Sequence, residues 1–160
     1  MPVLAKLKEF LDRNNVEYTH TLHPLAYTAR EVASAEHVPP REVAKTVVLL
    51  SEQGYGMAVL PADSIADLEQ LRLGLGLARL RLATEAELAE LFPTCELGAM
   101  PPFGNLFGLP VYVDGRTAGE DRITFNAGTH RDVVHMHYRD FARLANPTVI
   151  SFAKRAGATA

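Results

Sequence analysis

Lys45-Thr46-Val47-Val48-Leu49-Leu50-Ser51-Glu52-Gln53-Gly54-Tyr55-Gly56-Met57-Ala58-Val59-Leu60 is the stretch that decides the fold. Its apolar runs, Lys45 to Ser51 and Gly56 to Leu60, flank Gln53-Gly54-Tyr55, the pattern of adjacent strands joined by a tight connection. This pair is the expected centre of a sheet. Lys45, at the mouth of the first run, is the only lysine between Pro24 and Asn146. A lysine so placed is either a strand-end charge that snorkels to water or an ammonium group held over a pocket.

Outward from this pair, helices and strands follow one another in irregular order. Val3, Leu4, Leu7, Phe10 and Leu11 recur at helical spacing and predict an amphipathic first helix ending near Asn14-Asn15, with a short strand after it through Val16–Tyr18. Thr28 with Glu31 has the capping-box form and predicts a second helix ending before Pro39-Pro40, with another short helix starting at Pro40. Asp63 or Ser64 is placed to cap a helix carrying Ile65, Leu68, Leu71 and Leu75, and Thr84 with Glu87 repeats the capping signal before Leu88 and Leu91. Pro110–Val113, Arg122–Phe125 and Val133–Tyr138 read as strands, and Asp140 opens a short helix. The irregular order favours an α+β (mixed α/β) domain, with a central mixed, mainly antiparallel sheet flanked by helices, over strict parallel winding.

At 160 residues, 48% apolar and 22% charged, the chain fits one globular domain spanning 1–160. It has no run of about 18 apolar residues and no basic segment leading into an apolar core, so neither membrane insertion nor secretion is indicated and a cytoplasmic location is expected. The lone cysteine, Cys95, has no partner for an internal disulfide or a cysteine-based zinc site, which fits a reducing compartment. A net charge of −3 supplies no field toward long nucleic acid, DNA included. Any RNA contact is therefore local, through cations such as Lys45, Arg41 or Arg131.

Two loops carry chemistry. In Gly98-Ala99-Met100-Pro101-Pro102-Phe103-Gly104 the glycines permit unusual backbone angles and the paired prolines stiffen the chain, so it is either a rigid connection or a frame of N–H groups around a ligand. Phe125-Asn126-Ala127-Gly128-Thr129-His130 is a turn after a strand that presents an amide and an imidazole, or simply a surface turn. His135 and His137 share a strand face and His130 is able to approach them, which permits a metal site without completing a familiar zinc pattern. No metal and no cofactor is expected. A Gly-x-Ser-x-Gly elbow, a phosphate loop and a dinucleotide fingerprint are all missing from the sequence, and Glu120-Asp121 lacks the geometry of an acid/base pair. What remains is a cation, fixed donors and one imidazole.

Ala44-Lys45-Thr46-Val47-Val48-Leu49, Leu60-Pro61-Ala62-Asp63 and the two loops, Gly98 to Gly104 and Phe125 to His130, occur in the order and spacing of the YbaK family. This is the aminoacyl-tRNA deacylase domain also found inserted in bacterial prolyl-tRNA synthetases, and the chain resembles it from the first helix to about Phe152. The resemblance implies a free-standing enzyme that hydrolyses, in trans, the ester of a mischarged tRNA, commonly tRNA-Pro carrying a small amino acid. It implies an aminoacyl-tRNA acceptor end as partner, with prolyl-tRNA synthetase as a further one. Lys45 matches the family's essential lysine. Gly98 and Pro102 match the ends of its Gly-x-x-x-Pro loop, which with Ala99, Met100, Pro101 and Phe103 borders the amino-acid pocket. Asn126, Ala127, Gly128 and His130 fall in its second pocket loop.

Alanine-specific members carry Lys-Asn where Lys45-Thr46 stands and a Thr-Pro-Phe-Ala-Leu-like loop in place of Pro101-Pro102-Phe103-Gly104, and these departures point away from that subgroup. The cysteine-specific type shares Lys-Thr but uses its substrate's own thiol. A non-catalytic tRNA- or synthetase-binding module with the same fold is the alternative, and a metal-dependent hydrolase using His130, His135 and His137 is a third reading.

Overall fold

Every position from Gly56 to Pro61 is buried, the mark of a strand covered on both faces. The computed structural model describes residues 2–155. In chain order its elements are α1 (Val3–Arg13), β1 (Tyr18–Leu22), α2 (Ala29–Glu36), β2 (Ala44–Ser51), β3 (Gly54–Pro61), β4 (Ser64–Ala66), α3 (Leu68–Leu75), β5 (Leu80–Leu82), α4 (Glu85–Leu91), β6 (Val111–Asp114), α5 (Gly115–Ala118), β7 (Arg122–Asn126), β8 (Asp132–His137), α6 (Tyr138–Ala145), β9 (Thr148–Ile150) and β10 (Ala153–Arg155). No helix among the described residues is long and apolar enough to cross a membrane.

β2 and β3 pair antiparallel from Ala44 opposite Pro61 to Ser51 opposite Gly54. They centre a five-stranded mixed sheet of order β5-β2-β3-β6-β9, in which β6 and β9 run parallel to β3. A second, antiparallel sheet has the order β1-β8-β7, and a parallel bridge between Val43 and Thr124 brings it against the start of β2. The expected mixed α/β architecture is thus present, with its strands distributed over more than one sheet.

Strand alternation assigns the two faces of β3 to different cores. Met57 and Val59 join Leu7, Leu11, Val113, Ile123, Phe125, Met136 and Phe141 in the main core, while Ala58 and Leu60 pack with Leu49, Leu71 and Phe152. Helix α2 closes a third cluster around Val32, Val43 and Val133, and Glu36 at its end reaches His135 on β8 at 2.6 Å.

Several local expectations shift. The strand expected at Val16–Tyr18 begins at Tyr18, because Val16 N–H still donates to Leu11 O and Asn15 turns the chain at a φ of 55°. Asp63 and Ser64 do not cap a helix. Asp63 pairs with Arg116 at 2.9 Å, Ser64 starts β4 against β10, and Asp67 caps α3 by accepting from Gln70 N–H. Thr84 and Glu87 do form a reciprocal capping box at α4. Asp140 lies within the first turn of α6, which opens at Tyr138 straight out of β8.

Candidate active site

The bridge between Val43 and Thr124 sets the geometry of the site. Two residues further along each parallel chain stand Lys45 and Asn126, so both leave the sheet on the side that α2 covers. There a cleft of about 190 Å³ opens between the start of β2, the N-terminal end of α2, the Gly98 loop and the end of β7. Tyr27, Ala29, Val43, Ala44, Lys45, Thr46, Gly98, Met100 and Asn126 line it.

Of the expected site residues, Lys45, Gly98, Met100 and Asn126 line this cleft together, and the others stand back from it. Ala99, Pro101, Pro102 and Phe103 are buried. Phe103 is a core residue, edge-on to Phe10, Phe125 and Phe141 with ring centroids 5.8, 5.8 and 5.2 Å away. Ala127 is also in the core, and Gly128 faces α1, where a Cβ would come within 2.3 Å of Val3 Cγ1. Gly98 holds a φ of +83°, and a Cβ there would meet only His130 Cε1, at an ordinary contact distance of 3.8 Å, so its backbone angle rather than crowding calls for glycine.

His130 lies behind the rim. Its Nε2 is 2.7 Å from Leu97 O and its backbone N–H donates to Glu96 Oε1, which ties this turn to the Gly98 loop. Tyr27 covers the ring at a centroid distance of 5.1 Å. A donor role for Nε2 leaves Nδ1 as a buried acceptor, and it has no partner among the described residues.

Sequence reasoning missed Tyr27, Ala29, Val43, Ala44 and Thr46 as cleft residues. The available signal was position: Ala44 and Thr46 flank Lys45, and Tyr27 directly precedes the capping Thr28.

Half-buried Lys45 has no carboxylate within ion-pair distance among the described residues. Burial, then the nearby Arg30 charge, hold its ammonium below the usual lysine pKa of 10.5, while Asp63 pulls the other way. Two more polar atoms of the lining, Thr46 Oγ1 and Asn126 Oδ1, are buried without partners. Buried polar groups are ordinarily satisfied, so two orphaned oxygens on residues that line the same cleft as an ammonium without an ion-pair partner mark it as a place that takes polar partners. Across Met100 lies a second pocket of about 140 Å³, lined by Leu88, Ala89, Phe92, Pro93, Cys95, Glu96 and Leu97. It is mainly apolar, and burial raises the Cys95 thiol to about 11, so its thiolate is disfavoured.

The three imidazoles of the metal reading do not converge. His135 is engaged by Glu36 and Thr124, His130 by Leu97, and no group of three or more metal-ligating side chains occurs among the described residues.

Comparison with known proteins matches residues 23–144 to the aminoacyl-tRNA editing domain. The chain is 38% identical over 101 residues to the multifunctional Ser/Thr-tRNA deacylase ProXp-y of Escherichia coli (strain K12), a stretch covering 62% of this chain and 60% of that protein's length. It is 32% identical over 81 residues to the proline–tRNA ligase of Thermosipho africanus (strain TCF52B), covering 51% of this chain and 14% of the ligase. A solved structure provisionally described as a trans-editing enzyme for prolyl tRNA synthetase superposes with a TM-score of 0.83 at 23% identity, covering 96% of this chain and 98% of that one. At that identity the likeness speaks for the fold.

Proposed function

The chain belongs to the aminoacyl-tRNA editing domain family, and from that premise we propose that it hydrolyses, in trans, the ester of a tRNA misacylated with a small, hydroxyl-bearing amino acid. The carrying observation is the Lys45 ammonium, without an ion-pair partner among the described residues, in a small cleft whose lining residues Thr46 and Asn126 carry unsatisfied oxygens. Water adds to the ester carbonyl, the tetrahedral oxyanion collapses, and the ribose hydroxyl leaves with a proton. Lys45 is the cation that orients the aminoacyl end and stabilises the developing oxyanion, aided by backbone N–H groups of the Gly98 loop. No protein nucleophile is needed.

Asn126 Oδ1 is suited to accept from the substrate's ammonium group, and Thr46 Oγ1 to pair with a side-chain hydroxyl. The likeness to the Escherichia coli Ser/Thr-tRNA deacylase supports a hydroxylated substrate. The ligase likeness supports tRNA-Pro as the carrier and a prolyl-tRNA synthetase as the partner whose errors are cleared. A site that hydrogen-bonds a hydroxyl discriminates against its absence far better than an apolar pocket discriminates size.

The test is a panel of seryl-, threonyl-, alanyl- and prolyl-tRNA-Pro incubated with the protein and with Lys45→Ala. Seryl or threonyl esters are expected to be cleaved well above the buffer rate, with the excess lost in Lys45→Ala. No acceleration of any ester, or full activity in Lys45→Ala, would sink the proposal. Tight tRNA binding without turnover would identify a binding module instead.

A further inference from the structure

Tyr27 is the one aromatic residue of the cleft lining, and it is 65% accessible. Single exposed apolar side chains are ordinary, so what distinguishes this ring is its place at the cleft and how firmly it is held. The ring does not ride on a loose loop. Thr28 next to it caps α2 by accepting from Glu31 N–H, Ala26 N–H donates to His130 O, and His23 N–H donates to Arg131 O. The His130 ring supports Tyr27 from one side, at 5.1 Å and a 54° tilt. Exposed Leu25 stands two residues before Tyr27, exposed Leu97 carries the carbonyl that holds His130 Nε2, and Arg30 on the first turn of α2 acts electrostatically on Lys45.

An ester seated beside Lys45 is attached to a ribose, and that ribose also carries a base. The base must emerge at the rim of a cleft too small to hold it. We propose that the Tyr27 ring is the stacking platform for the terminal nucleobase of the acceptor end, a subsite that rests on the deacylase reading of the cleft. Stacking on a fixed aromatic suits any base, because each has a π-face, and it needs no donor or acceptor from the protein. Tyr27 thus sets affinity for the nucleoside part, while Lys45, Thr46 and Asn126 handle the aminoacyl part.

The experiment pairs protein and ligand changes. Steady-state deacylation of seryl-tRNA-Pro is measured for the wild type, Tyr27→Phe and Tyr27→Ala. Affinities are measured for seryl-3′-amino-3′-deoxyadenosine, whose amide resists hydrolysis, and for its abasic counterpart. Tyr27→Ala is expected to raise KM roughly five- to a hundredfold with kcat little changed, and Tyr27→Phe to stay within about twofold of the wild type. Removing the base should weaken the wild type by a similar factor and leave Tyr27→Ala nearly indifferent.

An unchanged KM in Tyr27→Ala, or equal loss on base removal in both proteins, overturns the subsite. A fall in kcat alone also overturns it, since the ring would then only be seating His130. If the wild type cleaves no ester, the deacylase reading fails, and the amide affinities decide the subsite by themselves. A base-dependent loss confined to Tyr27→Ala supports it, and no such difference overturns it.

Discussion

Lys45 gives the sharpest expectation at the scale of a single residue. Burial and then Arg30 lower its pKa from 10.5, so the unfolded chain holds that proton more tightly than the folded one. Stability therefore carries a penalty while Lys45 is protonated, and rises as pH climbs through the interval between the lowered value and 10.5. Lys45→Met is expected to leave the melting temperature unchanged or raised at neutral pH while abolishing hydrolysis; a fall of more than about 3 °C, on the order of 1 kcal/mol, would make the lysine structural. In the wild type, the excess over the buffer rate should decline as pH rises through the lowered value, before pH reaches 10.5.

Thr46 separates function from stability in a second way. Its hydroxyl is buried without a partner, so Thr46→Val should be neutral or stabilising by up to about 1 kcal/mol, since no bond is lost. Cleavage of seryl and threonyl esters should nevertheless fall, and that of alanyl esters should not. Lys45 was legible in the sequence because an isolated charge interrupts an apolar pattern. Thr46 was not, because a threonine in a strand is ordinary until its hydroxyl is seen to lack a partner.

At the scale of elements, the Gly98–Gly104 loop serves two purposes, and only one is visible in its composition. Gly98 and Met100 border the cleft, while Phe103 fills the centre of the main core. A loop containing Pro101-Pro102 has no period of two or 3.6 from which an inward face is read, so the resemblance marked the whole loop as a pocket wall. Phe103→Ala should therefore lose roughly 3–5 kcal/mol of stability, seen as a fall of about 10 °C or more in melting temperature, rather than act first on KM. A variant with native stability and a raised KM would return Phe103 to the pocket. The β2–β3 pair and the capping box at Thr84 were legible because their signals are local. The helix start at Asp67 was not, because Asp63 and Ser64 offered equally good caps until Arg116 and β10 claimed them. The bridge of Val43 to Thr124, which joins Lys45 to Asn126, depends on residues about eighty positions apart and leaves no local trace.

The whole molecule poses an electrostatic question, because a chain with 16 Lys and Arg against 19 Asp and Glu is asked to hold a polyanion. Much of the basic charge is already committed. Arg41, one of the cations expected to meet RNA, pairs with Glu120 at 3.2 Å, and Arg116 pairs with Asp63 at 2.9 Å. Around the cleft, Lys45 and Arg30 have no ion-pair partner within reach among the described residues, and exposed Arg131 adjoins the His130 turn. On the proposed reading these cations would meet about two or three phosphates of a single-stranded end, so KM for a mischarged tRNA should rise roughly five- to twentyfold between about 50 and 200 mM salt. A whole-surface binder would lose far more. The slope also has an address: Arg30→Glu should make it shallower by about one unit while leaving the melting temperature within about 2 °C, because the side chain is exposed. Steady-state rates at four or five salt concentrations decide the matter. A KM indifferent to salt would mean that affinity comes from the aminoacyl group and the base alone. A slope untouched by Arg30→Glu would place the phosphates on some other face of the molecule.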